Sequence, residues 1–142
     1  MFQDFLQFVI QYWYLWTLFF ALLALVVWFE SRTVVGGVVK LDSASLVHLM
    51  NRDNATVIDI RDENNYKSGH IVGAVNIPAA DFAAKTKKLQ KFKAKPVALV
   101  CAQGISSMKV AQGLKKEGFE KIYSLKGGMA GWKSAGLPVE KS

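Results

Sequence analysis

The sequence predicts an α/β fold: a mostly parallel five-stranded sheet flanked by helices, preceded by one transmembrane helix. Two observations lead to this prediction. Strand-like and helix-like segments alternate from Val38 to Ala135, a pattern typical of parallel sheets covered on both faces. Before them, the stretch from Phe5 to Phe29 carries no charged residue, and all 18 Lys and Arg residues come after it.

Length and composition exclude several classes of protein. The chain has 142 residues and a formal net charge of +7, and it is too short for a TIM barrel or a two-lobed enzyme. Its one cysteine, Cys101, excludes an intramolecular disulfide framework and a multi-cysteine metal site. With only two histidines as well, we expect no metal site and no cofactor.

The N-terminal segment, residues 1–29, has the features of a membrane anchor. The 18 residues Tyr12–Phe29 would span about 27 Å as a helix, close to the hydrocarbon thickness of a bilayer. Trp13, Tyr14 and Trp16 lie at one end of this stretch and Trp28 at the other, as in the aromatic belts of spanning helices. A secretory signal would need a positively charged start and a small-residue cleavage site, and neither is present. We therefore predict a retained transmembrane helix over about residues 9–29, in preference to a buried core helix.

The charge distribution predicts the orientation of this anchor. Residues 1–29 contain no Lys or Arg, whereas basic residues follow from Arg32 onward, so the positive-inside rule places the C-terminal part in the cytoplasm and the N-terminus outside. A free thiol fits a reducing compartment. Residues 30–37, which end in two glycines, are predicted to be a linker, and residues 38–139 to be the folded domain.

Five strands are predicted from short apolar and β-branched runs bounded by turn residues. Thr56–Ile60 and Val97–Val100 are apolar throughout, as expected of strands buried on both faces. In chain order, the predicted strands are Val38–Lys40, Thr56–Ile60, a segment within Gly73–Ile77, Val97–Val100 and Lys121–Leu125.

The helices are predicted from capping residues and helical spacing of apolar side chains. Asp42 or Ser43 caps the first, Gly69 ends the second and Gly118 ends the fourth. In chain order, the predicted helices run from residue 43 to Met50, over Asp62–Ser68, Ala80–Gln90 and Ser106–Glu117, and over the short segment Ala130–Ala135.

Cys101 is the candidate nucleophile. It lies directly after a predicted strand, where parallel sheets place their ligand sites, and a short loop connects it to a predicted helix N-terminus. Backbone N–H groups of such a loop, together with the helix dipole, stabilise an anion and lower the pKa of a thiol. An inert buried cysteine at a strand end is the alternative interpretation; Gly104 in the loop favours the functional one.

Three groups of residues carry a resemblance to a known family. The chain contains Asp59-Ile60-Arg61, then Gly69-His70-Ile71 and Asn76-Ile77-Pro78, then the Cys101 loop, and finally Gly127-Gly128 with Trp132. These motifs resemble those of the rhodanese-like domain family, from roughly Val38 to Pro138. The anchor followed by one such domain resembles membrane-anchored bacterial members of the family, which implies a location in the bacterial inner membrane.

The resemblance implies transfer of sulfane sulfur through a persulfide on Cys101, from thiosulfate or a protein persulfide to a thiol acceptor. It implies a persulfide-binding loop made by the backbone amides of Ala102, Gln103, Gly104, Ile105, Ser106 and Ser107. The loop length, six residues from Cys101 to Ser106, matches the sulfur-transferring members rather than the related phosphatases. Ser106 stands where the family often has an arginine, and a hydroxyl cannot clamp an anionic donor as a guanidinium does. Asp59, Arg61 and His70 are expected to be structural supports.

Two functional hypotheses therefore stay open. Cys101 and its six-residue loop favour a membrane-anchored sulfurtransferase or persulfide carrier, whereas Ser106 favours a weakly catalytic module that binds a membrane-protein partner. The lysine-rich segment Lys85–Lys95, with six lysines in eleven residues, contacts anionic membrane lipid or is simply a solvated face. We expect no nucleic-acid partner, because no basic stripe with interleaved aromatic residues is present.

Overall fold

A computed structural model of the chain describes residues 1–31 and 34–142. It divides into two compact units, Met1–Val34 and Val35–Ser142. The N-terminal unit contains two helices, α1 (Phe2–Gln11) and α2 (Trp13–Ser31). The larger unit contains the sheet and the remaining helices.

The segment predicted to span the membrane is divided between two helices. A turn at Tyr12, with φ −112° and ψ 29°, separates α1 from α2, so residues 9–11 belong to a different helix from residues 13–29. Helix α2 has 19 residues, apolar on every side and none of them buried, and by length and composition it is the one candidate span within the described residues. Helix α1 is amphipathic instead, because its polar residues share one face: Gln3, Asp4, Gln7 and Gln11.

The predicted linker is partly regular structure. Glu30 and Ser31 complete α2, Val34 and Val35 form a strand, and Gly36 and Gly37 make the turn that follows. Arg32 and Thr33 lie outside the described residues.

Within residues 1–31 and 34–142, eight short strands form two sheets. In chain order they are β1 (Val34–Val35), β2 (Val38–Leu41), β3 (Thr56–Asp59), β4 (His70–Ile71), β5 (Val75–Asn76), β6 (Val97–Val100), β7 (Ile122–Leu125) and β8 (Val139–Glu140). The main sheet has the order β1-β2-β7-β6-β3-β5. Its last five strands are parallel to one another, which confirms the predicted five-stranded parallel sheet.

The helices cover this sheet. They are α3 (Ser43–Asp53), α4 (Glu63–Ser68), α5 (Phe82–Leu89), α6 (Ser106–Lys116) and α7 (Gly128–Ser134), with 3-10 turns on either side of α5. Of the two predicted capping residues, Asp42 and Ser43, it is Asp42 that caps α3, by accepting a hydrogen bond from the Ser45 N–H at 2.8 Å. Asp62 caps α4 in the same way through Asn65.

Two apolar cores lie on opposite faces of the sheet. Strand β6 contributes to both, since Val97 and Leu99 pack in one core and Ala98 and Val100 in the other. Burial on both faces explains why this strand is apolar at every position. Cys101 extends the first of these rows and belongs to the same core as Leu99.

A second, two-stranded sheet was not predicted. Strand β4 pairs antiparallel with β8, so that His70 lies opposite Glu140 and Ile71 opposite Val139. The Ser142 N–H also donates to the Lys67 carbonyl at 3.3 Å, so the contacts of this unit extend beyond residue 139, the predicted domain end.

Candidate active site

Cys101 occupies the carboxyl end of β6, in the middle of the parallel sheet. Strand β6 lies between β3 and β7, and the chain leaves it through the loop 102–105 before α6 begins at Ser106. The side chain is buried, with 5% of its residue surface exposed. The central strand, the short loop and the helix N-terminus are therefore arranged as the sequence predicts.

The Cys101 sulfur has hydrogen-bonding neighbours in the loop and at the start of α6. The Gly104 N–H donates to Sγ at 2.9 Å. The Cys101 thiol lies 3.4 Å from the Ser107 Oγ, and this hydroxyl lies 2.8 Å from the Ser124 Oγ. Backbone N–H groups and one hydroxyl are therefore direct neighbours of the sulfur, with a second hydroxyl behind the first.

These contacts act on the pKa of the thiol. Burial raises the pKa of Cys101, because a thiolate is poorly solvated in the core. Hydrogen bonds from the side chain and backbone of Ser107 and from the backbone of Gln103 and Gly104 lower it by more, so the net pKa lies below that of an ordinary cysteine. The site therefore favours the thiolate, which is the nucleophilic form.

The start of α7 holds the loop in place. The Met129 N–H donates to the Cys101 carbonyl at 2.8 Å, and the Ala130 N–H donates to the Ala102 carbonyl at 3.1 Å. Two loop carbonyls thereby partner free N–H groups of a helix N-terminus. Backbone N–H groups of the loop itself are left to face the sulfur.

Two glycines make this close approach feasible. Gly128 has a φ of +56°, and a Cβ at this position would collide with the carbonyl oxygen of Cys101. Gly104 has a φ of +86°, and a Cβ there would come within 3.0 Å of the Gly127 nitrogen and the Leu125 oxygen. Both positions require the left-handed conformation and the missing side chain that only glycine supplies.

The six residues of the predicted loop differ in their relation to the sulfur. Gln103, Gly104 and Ser107 provide hydrogen bonds that lower the pKa of Cys101. No such bond is described for Ala102, Ile105 or Ser106, whose side chains are exposed. Ile105 presents 69% of its surface to solvent, so the loop carries an apolar tip and no charged side chain.

Asp59 and Arg61 form a buried ion pair at the carboxyl end of β3. The Arg61 guanidinium lies 2.6 Å from one carboxylate oxygen of Asp59. The Arg61 side chain is 9% exposed and that of Asp59 is 1% exposed. The Arg61 Nη2 also donates to the Gly69 carbonyl at 2.7 Å, and the Asn76 amide donates to the backbone oxygens of Asp59 and Arg61. This network joins the end of β3 to the chain around β4 and β5.

His70 is held by neighbours in α4 and β8. Its Nδ1 lies 2.9 Å from the Tyr66 carbonyl, and its ring stacks on the Tyr66 ring at 3.8 Å. Its Nε2 faces the Glu140 carboxylate at 3.8 Å. Both ring nitrogens face partners in the protein, an arrangement that fixes the ring.

Ser124 is the neighbour of the site that the sequence-based prediction missed. It lies in β7 and is 1% exposed, although the positions around it are apolar. The sequence feature that could have identified it is a serine within a strand that is otherwise predicted to be buried. No group of three His, Cys, Asp or Glu side chains suited to a metal is found in residues 1–31 and 34–142.

Comparisons with known proteins agree with this geometry. The profile of the rhodanese-like domain matches residues 42–135. The uncharacterized protein YibN of Escherichia coli strain K12 is 32% identical over 138 residues, which cover 96% of both chains. The thiosulfate sulfurtransferase GlpE of Pseudoalteromonas translucida is 35% identical over 92 residues, covering 65% of this chain and 86% of the relative.

Solved structures give the same result for the fold. The crystal structure of a rhodanese-related protein from Thermoplasma volcanium superposes with a TM-score of 0.66 at 28% identity, covering 72% of this chain and 98% of that one. The solution structure of the rhodanese-like domain of the Anabaena protein Alr3790 gives 0.64 at 29% identity, covering 72% and 79%. With a parallel sheet that presents Cys101 to a loop of backbone donors, this chain belongs to the rhodanese-like domain family.

Proposed function

We propose that this protein is a membrane-anchored sulfurtransferase or persulfide carrier that works through Cys101. The observation that supports this most directly is the buried sulfur with the Gly104 N–H at 2.9 Å and a lowered pKa. Sulfurtransferases in the same family support it as well, since GlpE carries that activity in its name.

The reaction has two steps. The Cys101 thiolate attacks the outer sulfur of the donor, so that an S–S bond forms at Sγ while the bond between that sulfur and the donor breaks. The leaving group is sulfite from thiosulfate, or a thiolate from a persulfide. An acceptor thiolate then attacks the outer sulfur of the Cys101 persulfide, and the Cys101 thiolate is released unchanged. The sulfur keeps its sulfane oxidation level in both steps and leaves on the acceptor as a persulfide, so neither step requires an oxidant, a reductant or a cofactor.

The loop favours a persulfide donor over thiosulfate. Thiosulfate carries two negative charges, and the loop 102–107 has no cationic side chain, only neutral donors such as its backbone N–H groups and the hydroxyls of Ser106 and Ser107. The exposed Ile105 at the loop tip suits a donor that is itself a protein, because protein interfaces bury apolar side chains.

Intact-mass spectrometry of the full-length protein in detergent tests the catalytic proposal. The protein is incubated with thiosulfate or with glutathione persulfide, then treated with cyanide, with Cys101→Ser as the control. We expect one added sulfur that cyanide removes and that Cys101→Ser never acquires, with faster loading from the persulfide. The absence of added sulfur with both donors would contradict the proposal.

The second candidate function is a binding module with weak chemistry. The uncharged loop and the exposed Ile105 favour it. In that case a membrane-protein partner binds the domain or α2, and binding survives Cys101→Ser. Crosslinking of the full-length protein in membranes, with α2 intact or replaced by an unrelated apolar helix, distinguishes a partner held by α2 from one held by the domain.

For the membrane, we propose that α2 spans the bacterial inner membrane with the N-terminus outside and the Cys101 domain in the cytoplasm. The 19 residues of α2 reach about 28 Å, which matches the hydrocarbon core without α1. In a Cys101→Ser background, a membrane-impermeant maleimide added to intact spheroplasts should label Gln3→Cys and leave Ser142→Cys unlabelled. The reverse pattern would refute this orientation.

The segment Lys85–Lys95 is proposed to contact anionic head groups. Five of its six lysines are exposed and have no ion pair described: Lys87, Lys88, Lys91, Lys93 and Lys95. In nanodiscs, anionic lipid should slow trypsin cleavage at these lysines relative to zwitterionic lipid. Equal cleavage in the two lipids would leave the segment as a solvated face.

A further inference from the structure

Two buried hydroxyl groups lie in series behind the Cys101 sulfur. Ser107, in α6, has no exposed surface, and Ser124, in β7, has 1%. Their oxygens are 2.8 Å apart, and the Ser107 oxygen is 3.4 Å from Sγ. Helix α6 and strand β7 therefore each contribute one hydroxyl to a row of hydrogen bonds that ends at the Cys101 sulfur.

Ser124 is a polar residue on a face of β7 that otherwise packs into an apolar core. Ile122, two residues earlier on the same face of β7, packs in the apolar core that also contains Cys101 and Leu99. A buried hydroxyl is costly unless it is hydrogen-bonded. The Ser124 hydroxyl is hydrogen-bonded to the Ser107 hydroxyl, so any effect of Ser124 on the site acts through Ser107.

The direction of the two hydrogen bonds depends on the state of the sulfur. A thiol donates its proton to the Ser107 oxygen, and Ser107 can then donate to Ser124. A thiolate only accepts, so Ser107 has to turn its O–H toward Sγ. The Ser107 oxygen then has a free lone pair in a buried site, and the Ser124 O–H is the group placed to donate to it.

We propose that Ser124 is a positioning residue for the Cys101 nucleophile: by donating to the Ser107 oxygen, it holds the Ser107 hydroxyl as a donor to the thiolate. This inference rests on the proposed function, in which the thiolate is the reacting form. A donor that itself accepts a hydrogen bond is polarised and binds an anion more strongly. The residue acts on the sulfur through Ser107 and does not touch it.

The pH dependence of alkylation tests this inference. Cys101 is the one cysteine of the chain, so the rate of iodoacetamide reaction with the full-length protein in detergent reports its thiolate fraction. Ser124→Ala removes the hydrogen bond between Ser124 and Ser107. It should therefore lower the alkylation rate about three- to tenfold at pH values below the pKa of Cys101. The rate at high pH, where every molecule is a thiolate, should stay the same. Thr56→Ala, at the opposite end of the neighbouring strand β3, is the matched control and should leave the profile unchanged.

A double-mutant cycle separates this role from a merely structural one. If Ser124 acts through Ser107, then Ser124→Ala has no further effect on the profile in a Ser107→Ala background. Full additivity of the two substitutions, or an unchanged profile for Ser124→Ala alone, would overturn the inference. If Ser124→Ala does not fold, the pair Ser124→Thr and Ser124→Val decides the question, because the two side chains match in size and only threonine keeps the hydroxyl.

The alkylation assay needs no sulfur donor, so the two proposals can fail separately. A shifted profile in a protein that never acquires sulfur would support the role of Ser124 and refute the proposed function. Normal sulfur loading together with an unchanged profile would refute the role of Ser124 alone.

Discussion

Substitution of Gly128 by alanine tests whether α7 holds the Cys101 loop. A Cβ at position 128 would collide with the Cys101 carbonyl oxygen and lie 2.8 Å from the Ala102 carbonyl carbon and the Gln103 nitrogen. Three consecutive residues of the loop therefore have to move, or α7 has to withdraw. Either movement disturbs the hydrogen bond from the Met129 N–H to the Cys101 carbonyl.

Two contributions determine how much Gly128→Ala destabilises the folded protein. The φ of +56° costs a residue with a Cβ about 1–2 kcal/mol. The overpacking adds about 1–3 kcal/mol, so we expect Gly128→Ala to lower the free energy of unfolding by about 2–5 kcal/mol.

Two other glycines separate these contributions. Gly73 has a φ of +78° with no atom within 4 Å of a Cβ, so Gly73→Ala should show the conformational cost alone. Gly113, inside α6, also has open space, and Gly113→Ala should stabilise the protein by roughly 0.5–1 kcal/mol because alanine favours a helix.

Urea unfolding of the full-length protein in detergent, followed by pulse proteolysis, measures all three variants. Sulfur loading of Cys101 should fall for Gly128→Ala and stay normal for the other two. The argument fails if Gly128→Ala is no less stable than Gly73→Ala and still loads sulfur at the normal rate.

Three further predictions concern the charges of the site. Ser106→Arg should increase kcat/KM for thiosulfate by about tenfold or more, because a guanidinium supplies charge-assisted hydrogen bonds, with little change for a persulfide donor; equal effects on both donors would contradict this. The lowered pKa of Cys101 should make the protein more stable as pH rises from its folded pKa to that of an ordinary thiol, and the gain is lost as pH falls through the folded value. Cys101→Ser should abolish that pH dependence in urea unfolding. Arg61→Ala should lower the free energy of unfolding by about 3–5 kcal/mol, because it leaves the Asp59 carboxylate without its cationic partner. Lys67→Ala is its control and should have a far smaller effect, because the Lys67–Glu63 pair is exposed to solvent.

The sequence by itself determined the order of strands and helices, because these depend on local patterns. The apolar run Val97–Val100 predicted a buried strand, and the choice of Asp42 or Ser43 as the capping residue predicted the start of α3. The position of Cys101 between a strand and a helix predicted its place at the carboxyl edge of the sheet. The family motifs extended this prediction to the loop residues.

Only the tertiary structure decided which distant residues meet. The pairing of β4 with β8 depends on contacts between residues about 70 positions apart, and two-residue strands have no periodicity of their own. The contact of Ser124 with Ser107 depends on the register of β7 against β6. The closeness of Gly128 to the Cys101 carbonyl depends on how α7 packs on the loop. These features come from packing between separate elements, so the local sequence that forms each element does not encode them.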